Sequence, residues 1–214
     1  MGIIKRGILG GFSKKVGNVV GGSWKGIAYM RSQPLSVANP RTTAQVAQRS
    51  KMSNIVAFAQ PILGNFIKPF WDRFAVKMSG YNAFVMTNIG LYDPTNPSGY
   101  LSMVLSKGDL GETLITGSTY DISTQVLALT WDTTLTNGFQ SLDDEVYIVL
   151  VNAITGVVQA QKVESVSRAT GAVNVTVPNL ATNISDPVFQ WLAFRSVDGF
   201  RVGTATVAVV GVSA

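Results

Sequence analysis

The sequence predicts an α+β fold, in which an N-terminal β-hairpin arm and short helices precede an antiparallel β-sandwich. Three observations carry the prediction. Apolar residues recur with a helical period over residues 42–90 and with a period of two beyond residue 100. The change falls at DPTNPSGY, Asp93–Tyr100, where two prolines, a glycine and three small polar residues interrupt both patterns. The charge reverses sign at the same place. Residues 1–92 hold twelve Lys/Arg and one acid, Asp72, a net +11; residues 93–214 hold five Lys/Arg and eleven acids, a net −6. The expected organisation is a basic arm plus helical domain at 1–92, a linker at 93–100 and a sandwich domain at 101–214.

The arm is KVGNVVGGSWKGIAYMR, Lys15–Arg31. Gly21-Gly22 is expected to be its two-residue turn, because both residues tolerate positive φ. Val20 then faces Ser23, Val16 faces Ile27 and Lys14 faces Tyr29. Alternation puts Phe12, Val16, Val20, Ile27 and Tyr29 on one face, and Val19, Trp24, Ala28 and Met30 on the other. Both faces carry apolar groups, and a two-stranded hairpin alone is marginal in water. The arm therefore needs a cover. Phe12, Val16, Val19, Trp24, Ile27, Tyr29 and Met30 are the candidate subunit-contact residues. The competing expectation is that the hairpin folds back on its own helices.

An extended connector, SQPLSVANP, Ser32–Pro40, leads to the helices. Thr42 followed by Gln45 fits a capping box. Val46, Ile55, Val56 and Ala59 fall near one stripe, and Pro61 ends that helix or opens the next. PILGNFIKPFWDRFAVKMSG predicts two short helices broken near Lys68-Pro69, and YNAFVMTNIG a last one. Their large apolar residues read as core.

Seven strands are expected beyond the linker. They are an alternating Leu101-Met103-Leu105 segment, VLALTW, EVYIVLVN, VVQAQKVESV, AVNVTVPNL, VFQWLAFRS and FRVGTATVAVVGV. Turns are expected at Thr155-Gly156 and Asp198-Gly199. Seven short strands in this length argue for a sandwich. Trp131 at the end of the second strand and the hairpin WLAFRSVDGFRVG resemble a fibronectin type III module, so the sandwich is expected to be Ig-like (fibronectin III-like).

The N-terminal half carries a more specific likeness. GILGGFSKKVGNVVG (Gly7–Gly21), WKGI (Trp24–Ile27) with Tyr29 and Arg31, and PRTTAQVAQRSK (Pro40–Lys51) resemble a family found in Bacteroidota and their phages. That family is a domain of unknown function of about this length. Lys14 stands where the family often has glycine, and Met52 where it often has phenylalanine. The resemblance implies the same arm-and-sandwich architecture and a phage or mobile-element context. It implies no active site.

Composition narrows the chemistry. Apolar residues make up 46% of the 214, which excludes a disordered chain. There is no cysteine and no histidine. Zinc sites built on those residues and Ser-His or Cys-His nucleophiles are thereby excluded. The glycine clusters match neither GxGxxG between strand and helix nor GxxxxGK[ST]. Asp143, Asp144 and Glu145 would alternate faces along a strand and are read as a solvated strand entry in preference to a loop calcium site. No catalytic residue, metal ligand or cofactor is expected, and the chain is read as non-enzymatic.

The start, MGIIKRGILGGFSKK, is broken by Lys5, Arg6 and paired glycines and is not read as a secretory signal. No apolar run reaches membrane-spanning length. The expectation is synthesis in the cytoplasm and residence in virus particles.

Two functions follow as expectations, ahead of a third and weaker one, a surface adhesion module, against which the absence of an export signal in the sequence counts. The first is a self-assembling structural protein of a phage particle (capsid, tail or decoration subunit), contacting its own copies and other particle proteins through the arm. The second is sequence-nonspecific nucleic-acid binding through Lys5, Arg6, Lys14, Lys15, Lys25, Arg31, Arg41, Arg49 and Lys51. These nine basic residues are accompanied by no acid within residues 1–51.

Overall fold

The computed structural model describes residues 2–3, 12–36, 39–93 and 96–213. The chain forms two compact units, Met1–Gln45 and Val46–Ala214. Helices and strands at 46–214 thus belong to one unit, whereas sequence reading placed a division at 93–100.

The first unit is a small antiparallel sheet. Its strands are β1 (Gly2–Ile3), β2 (Lys14–Val16), β3 (Val19–Trp24) and β4 (Ile27–Ser32), in the order β1-β4-β3-β2. The arm is therefore not the hairpin expected from Gly21-Gly22. Its turns are Gly17-Asn18 and Lys25-Gly26, and the glycine pair lies inside β3. Lys25 (φ 49°) and Gly26 (φ 81°) both take positive φ, as the tight turn matching strand twist requires. Gly21 and Gly22 serve packing instead. A Cβ on Gly21 would collide with the Phe12 carbonyl oxygen first and come within 2.5 Å of the Phe12 ring, and one on Gly22 would come within 2.9 Å of the Tyr29 ring. Each aromatic ring lies in the space its glycine leaves open.

The second unit takes all but the first three residues of α1, Thr43–Ile62, which starts where the sequence places it. The Gln45 N–H donates to the Thr42 hydroxyl at 3.4 Å, supplying one orphan donor of the first turn with a partner. Its first eleven residues are exposed, Val46 included, and the buried stripe begins at Ile55. Pro61 does not end the helix. The chain passes through a π turn at Leu63–Ile67 into α2 (Lys68–Trp71), so the expected break at Lys68-Pro69 is also absent. Pro69 sits in the first turn of α2, where a missing N–H is tolerated. Then come α3 (Gly80–Asn88), capped by the Ser79 hydroxyl, and α4 (Pro97–Leu101). Leu101–Leu105 forms no strand; Met103 and Leu105 are nevertheless buried.

The strands are β5 (Ile115–Asp121), β6 (Val126–Trp131), β7 (Glu145–Asn152), β8 (Val158–Ser167), β9 (Ala172–Thr176), β10 (Val188–Arg195) and β11 (Thr206–Ser213). Their order is β8-β7-β10-β11-β5-β6-β9. β11 changes partner along its length. Thr206–Val210 pairs antiparallel with β10, and Gly211–Ser213 pairs parallel with β5. One strand thus joins two sheets, and the expected purely antiparallel pattern is broken at that pair.

The result is three layers. Tyr147, Val149, Val151, Phe189, Trp191 and Ala193 point into a core shared with Ile55, Phe58, Ile62, Phe66 and Phe70 of the helical segments. The alternate residues, Val146, Ile148, Leu150, Val188, Leu192 and Phe194, meet Tyr120, Leu127, Leu129, Trp131 and Val175 of the second sheet. β7 and β10 are therefore buried on both faces, which is why EVYIVLVN and VFQWLAFR read as nearly continuous apolar runs.

One ion pair lies inside. The Arg168 Nε is 3.1 Å from Asp144 Oδ2, with both side chains essentially fully buried. Arg168 also donates to the Thr113 hydroxyl at 2.6 Å and lies 4.0 Å over the Phe194 ring. Asp144 is thus a core residue rather than part of a solvated strand entry. Glu145 points elsewhere, to Lys162 at 2.8 Å. Arg168→Ala would leave a buried carboxylate unpaired and is expected to cost about 3–5 kcal/mol. Lys162→Ala breaks a partly exposed pair and is expected to cost less than about 1 kcal/mol. Urea unfolding of both variants measures the difference.

Candidate interaction surfaces

The corrected register redistributes the arm's candidate contact residues. Trp24 pairs with Ile27, Gly22 with Tyr29 and Val20 with Arg31, so these share one face. Val16 pairs with Val19, and Gly21 with Met30, on the other. Phe12, Val19 and Tyr29 are half-buried. Trp24 is 68% exposed and Ile27 53%, at the β3–β4 tip, while Val16 and Met30 are exposed on the opposite face. Apolar groups thus stand open on both faces. The Lys25 ammonium lies 5.7 Å from the centroid of the Trp24 ring.

Among the basic candidates, Lys14, Lys15, Lys25, Arg31, Arg41, Arg49 and Lys51 are all exposed. Lys5 and Arg6 lie outside the described residues.

Sequence reasoning missed a groove on the second unit. It has a volume of about 640 Å³ and is lined by Ile122, Ser123, Thr182, Asn183, Ile184 and Ser185. Each wall is a turn held by an aspartate. Asp121 Oδ1 accepts from the Ser123 N–H at 2.8 Å, the Ser123 hydroxyl at 2.6 Å and the Thr124 N–H at 3.2 Å. Asp186 Oδ2 accepts from the Thr182 N–H at 2.9 Å, the Asn183 N–H at 3.2 Å and the buried Asn152 amide at 3.0 Å. The Ser123 hydroxyl bond is the largest cause holding Asp121 below the usual carboxylate range, and the Thr182 N–H bond the largest for Asp186. The legible signal was an aspartate near Ser or Thr residues that can close such turns, in DIST and TNISD.

A smaller cleft of about 260 Å³ is lined by Glu112, Thr113, Leu114, Asp132, Thr134, Thr136 and Thr206. The Asp132 carboxylate is engaged by the N–H and hydroxyl of Thr134 in its own turn. Among the described residues, no three acids come together as a metal site. No helix among them is long and apolar enough to cross a membrane.

The model of DUF6266, a family of unknown function, matches residues 11–209. The chain belongs to this family. No curated protein matches the DUF6266 chain. Among solved structures, it is similar to the adhesin domain of Epf from Streptococcus pyogenes, at 13% identity and a TM-score of 0.33. That match covers 49% of this chain and 33% of the other, so the DUF6266 chain spans about a third of that neighbour.

Asp186→Ala removes an acceptor shared by four donors, the Thr182 N–H and hydroxyl, the Asn183 N–H and the Asn152 amide, and is expected to lower stability by about 2 kcal/mol or more. Because folding lowers the Asp186 pKa, its contribution is complete above the ordinary carboxyl range and is lost as pH falls through the lower folded value. Asp186→Asn is expected to be weakened already at pH 7 and to show a shallower loss in acid than the wild type. Denaturant midpoints measured between neutral and acid pH give that comparison.

Proposed function

We propose that this protein is a non-enzymatic structural subunit that self-assembles through its N-terminal arm. The observation that carries the reading is the arm's exposed apolar residues on both faces, Trp24 and Ile27 on one, Val16 and Met30 on the other. An exposed aromatic–aliphatic pair at a strand tip is the kind of anchor that a partner surface buries. The charge split supports a second copy as that partner, since a basic arm can meet an acidic body repeatedly, head to tail. The body is read as an Ig-like sandwich. The resemblance of the arm motifs to Bacteroidota phage sequences supports a phage or phage-like particle as the setting, with the chain as capsid, tail or decoration subunit.

The test is the mass distribution of the full chain by light scattering after size exclusion. Wild type is expected to form large, discrete particles. Trp24→Ala with Ile27→Ala is expected to leave the body folded and abolish them. Particles that survive this double substitution unchanged would place the arm outside the assembly contact.

The seven described basic candidates are all exposed, which favours nucleic-acid binding as a second reading. Binding by phosphate contacts would weaken steeply with salt, about tenfold or more between low and moderately high ionic strength. Affinity for duplex DNA measured across salt checks it; no binding at low salt would remove this reading.

A further inference from the structure

We propose that the groove between Ile122 and Ile184 receives the arm tip, Trp24-Lys25, of a second copy of this chain. The inference rests on the self-assembly reading and names the surface that the arm would meet.

Four features fit the two parts together. The tip offers a large apolar ring, 68% exposed, with a cation beside it. The groove is shallow and offers Ile122 and Ile184 as apolar walls, Ile184 being 61% exposed. It is preformed, because Asp121 and Asp186 fix both turns through their hydrogen bonds, so little ordering is needed on docking. The charges are complementary. Asp121 adjoins the groove residue Ile122 in the chain, and the hydrogen bonds it accepts from Ser123 and Thr124 keep it anionic at neutral pH, so the groove lies beside a negative charge that suits Lys25. The same complementarity holds at larger scale between residues 1–51, with nine bases and no acid, and the net −6 of residues 93–214.

The other end of the sandwich also exposes apolar residues, Phe139, Val197 and Phe200. It is the poorer match. The Arg201 guanidinium lies 3.9 Å over Phe139, so the ring a tryptophan would stack on already carries a cation. The contact proposed joins different surfaces on the two copies. It therefore repeats, closing as a ring or continuing as a filament.

The native chain has no cysteine, so engineered thiols report contacts without background. Ser23→Cys marks the arm tip and Ser185→Cys the groove; both positions are exposed and keep Trp24 and Ile184 intact. Val197→Cys marks the opposite end. Full-length single-cysteine chains, one carrying a mass tag, are mixed and oxidised with copper–phenanthroline. The Ser23→Cys/Ser185→Cys pair is expected to cross-link on the order of a hundredfold faster than Ser23→Cys/Val197→Cys, as for groups held at high effective concentration. Equal rates, with large particles still present by light scattering, would overturn the groove assignment and leave self-assembly standing. A monomer at every concentration would overturn both.

Discussion

The second unit depends on the pairing of β7 with β10. These adjacent strands are buried along nearly their whole length on both faces. Each buried Val, Leu, Ile or Phe contributes about 1.5–3 kcal/mol relative to exposure, and the two strands place such residues alternately up and down. One cover must come from before them in sequence, through Phe58, Phe66 and Phe70. The other must come from around them, through Tyr120, Leu127, Leu129 and Val175. The polar residues in the pair serve the same end. Gln190 accepts from the Ser118 hydroxyl on β5 at 2.7 Å, tying one sheet to the other. Asn152 holds both the β7–β8 turn and Asp186. Helices and sandwich therefore form one unit, although period and charge change between them.

The arm shows the opposite condition. Its sheet has regular turns and fitted aromatic–glycine pairs, yet its tip and both faces leave large apolar groups open. Among its described residues this four-stranded sheet fully buries no large side chain, so it gains little from apolar burial of its own. The account therefore assigns its remaining stabilisation to another copy. The groove has the complementary character: its apolar walls are fixed in advance by carboxylates that also supply negative charge.

Much of this was legible in the sequence. The β7 and β10 runs, the turns at Thr155-Gly156 and Asp198-Gly199, and the Thr42 cap each follow from local chemistry that the fold respects. The failures have physical causes. β5 is ITGSTYD, polar enough to pass for loop, because it is held mainly by backbone pairing to β6 and β11 and buries one large side chain, Tyr120. Gly21-Gly22 has turn chemistry, but its glycines make room for aromatic rings instead. The helical path continues past Pro61 into a π turn and on to Pro69, which falls in the first turn of α2 where a missing N–H is tolerated. The burial of Asp144 depends on Arg168, twenty-four residues away, and no local pattern announces such a pair. The groove joins two turns about sixty residues apart, at 122 and 184, and only the fold brings them together.

The central claim is that another chain completes the arm. Hydrogen exchange of the full-length protein at dilute and high concentration tests it most directly. The account predicts that amides of β3 and β4 and of the Thr182–Ser185 turn gain protection together as concentration rises, while β7 and β10 stay protected throughout. Arm protection that is independent of concentration would contradict it.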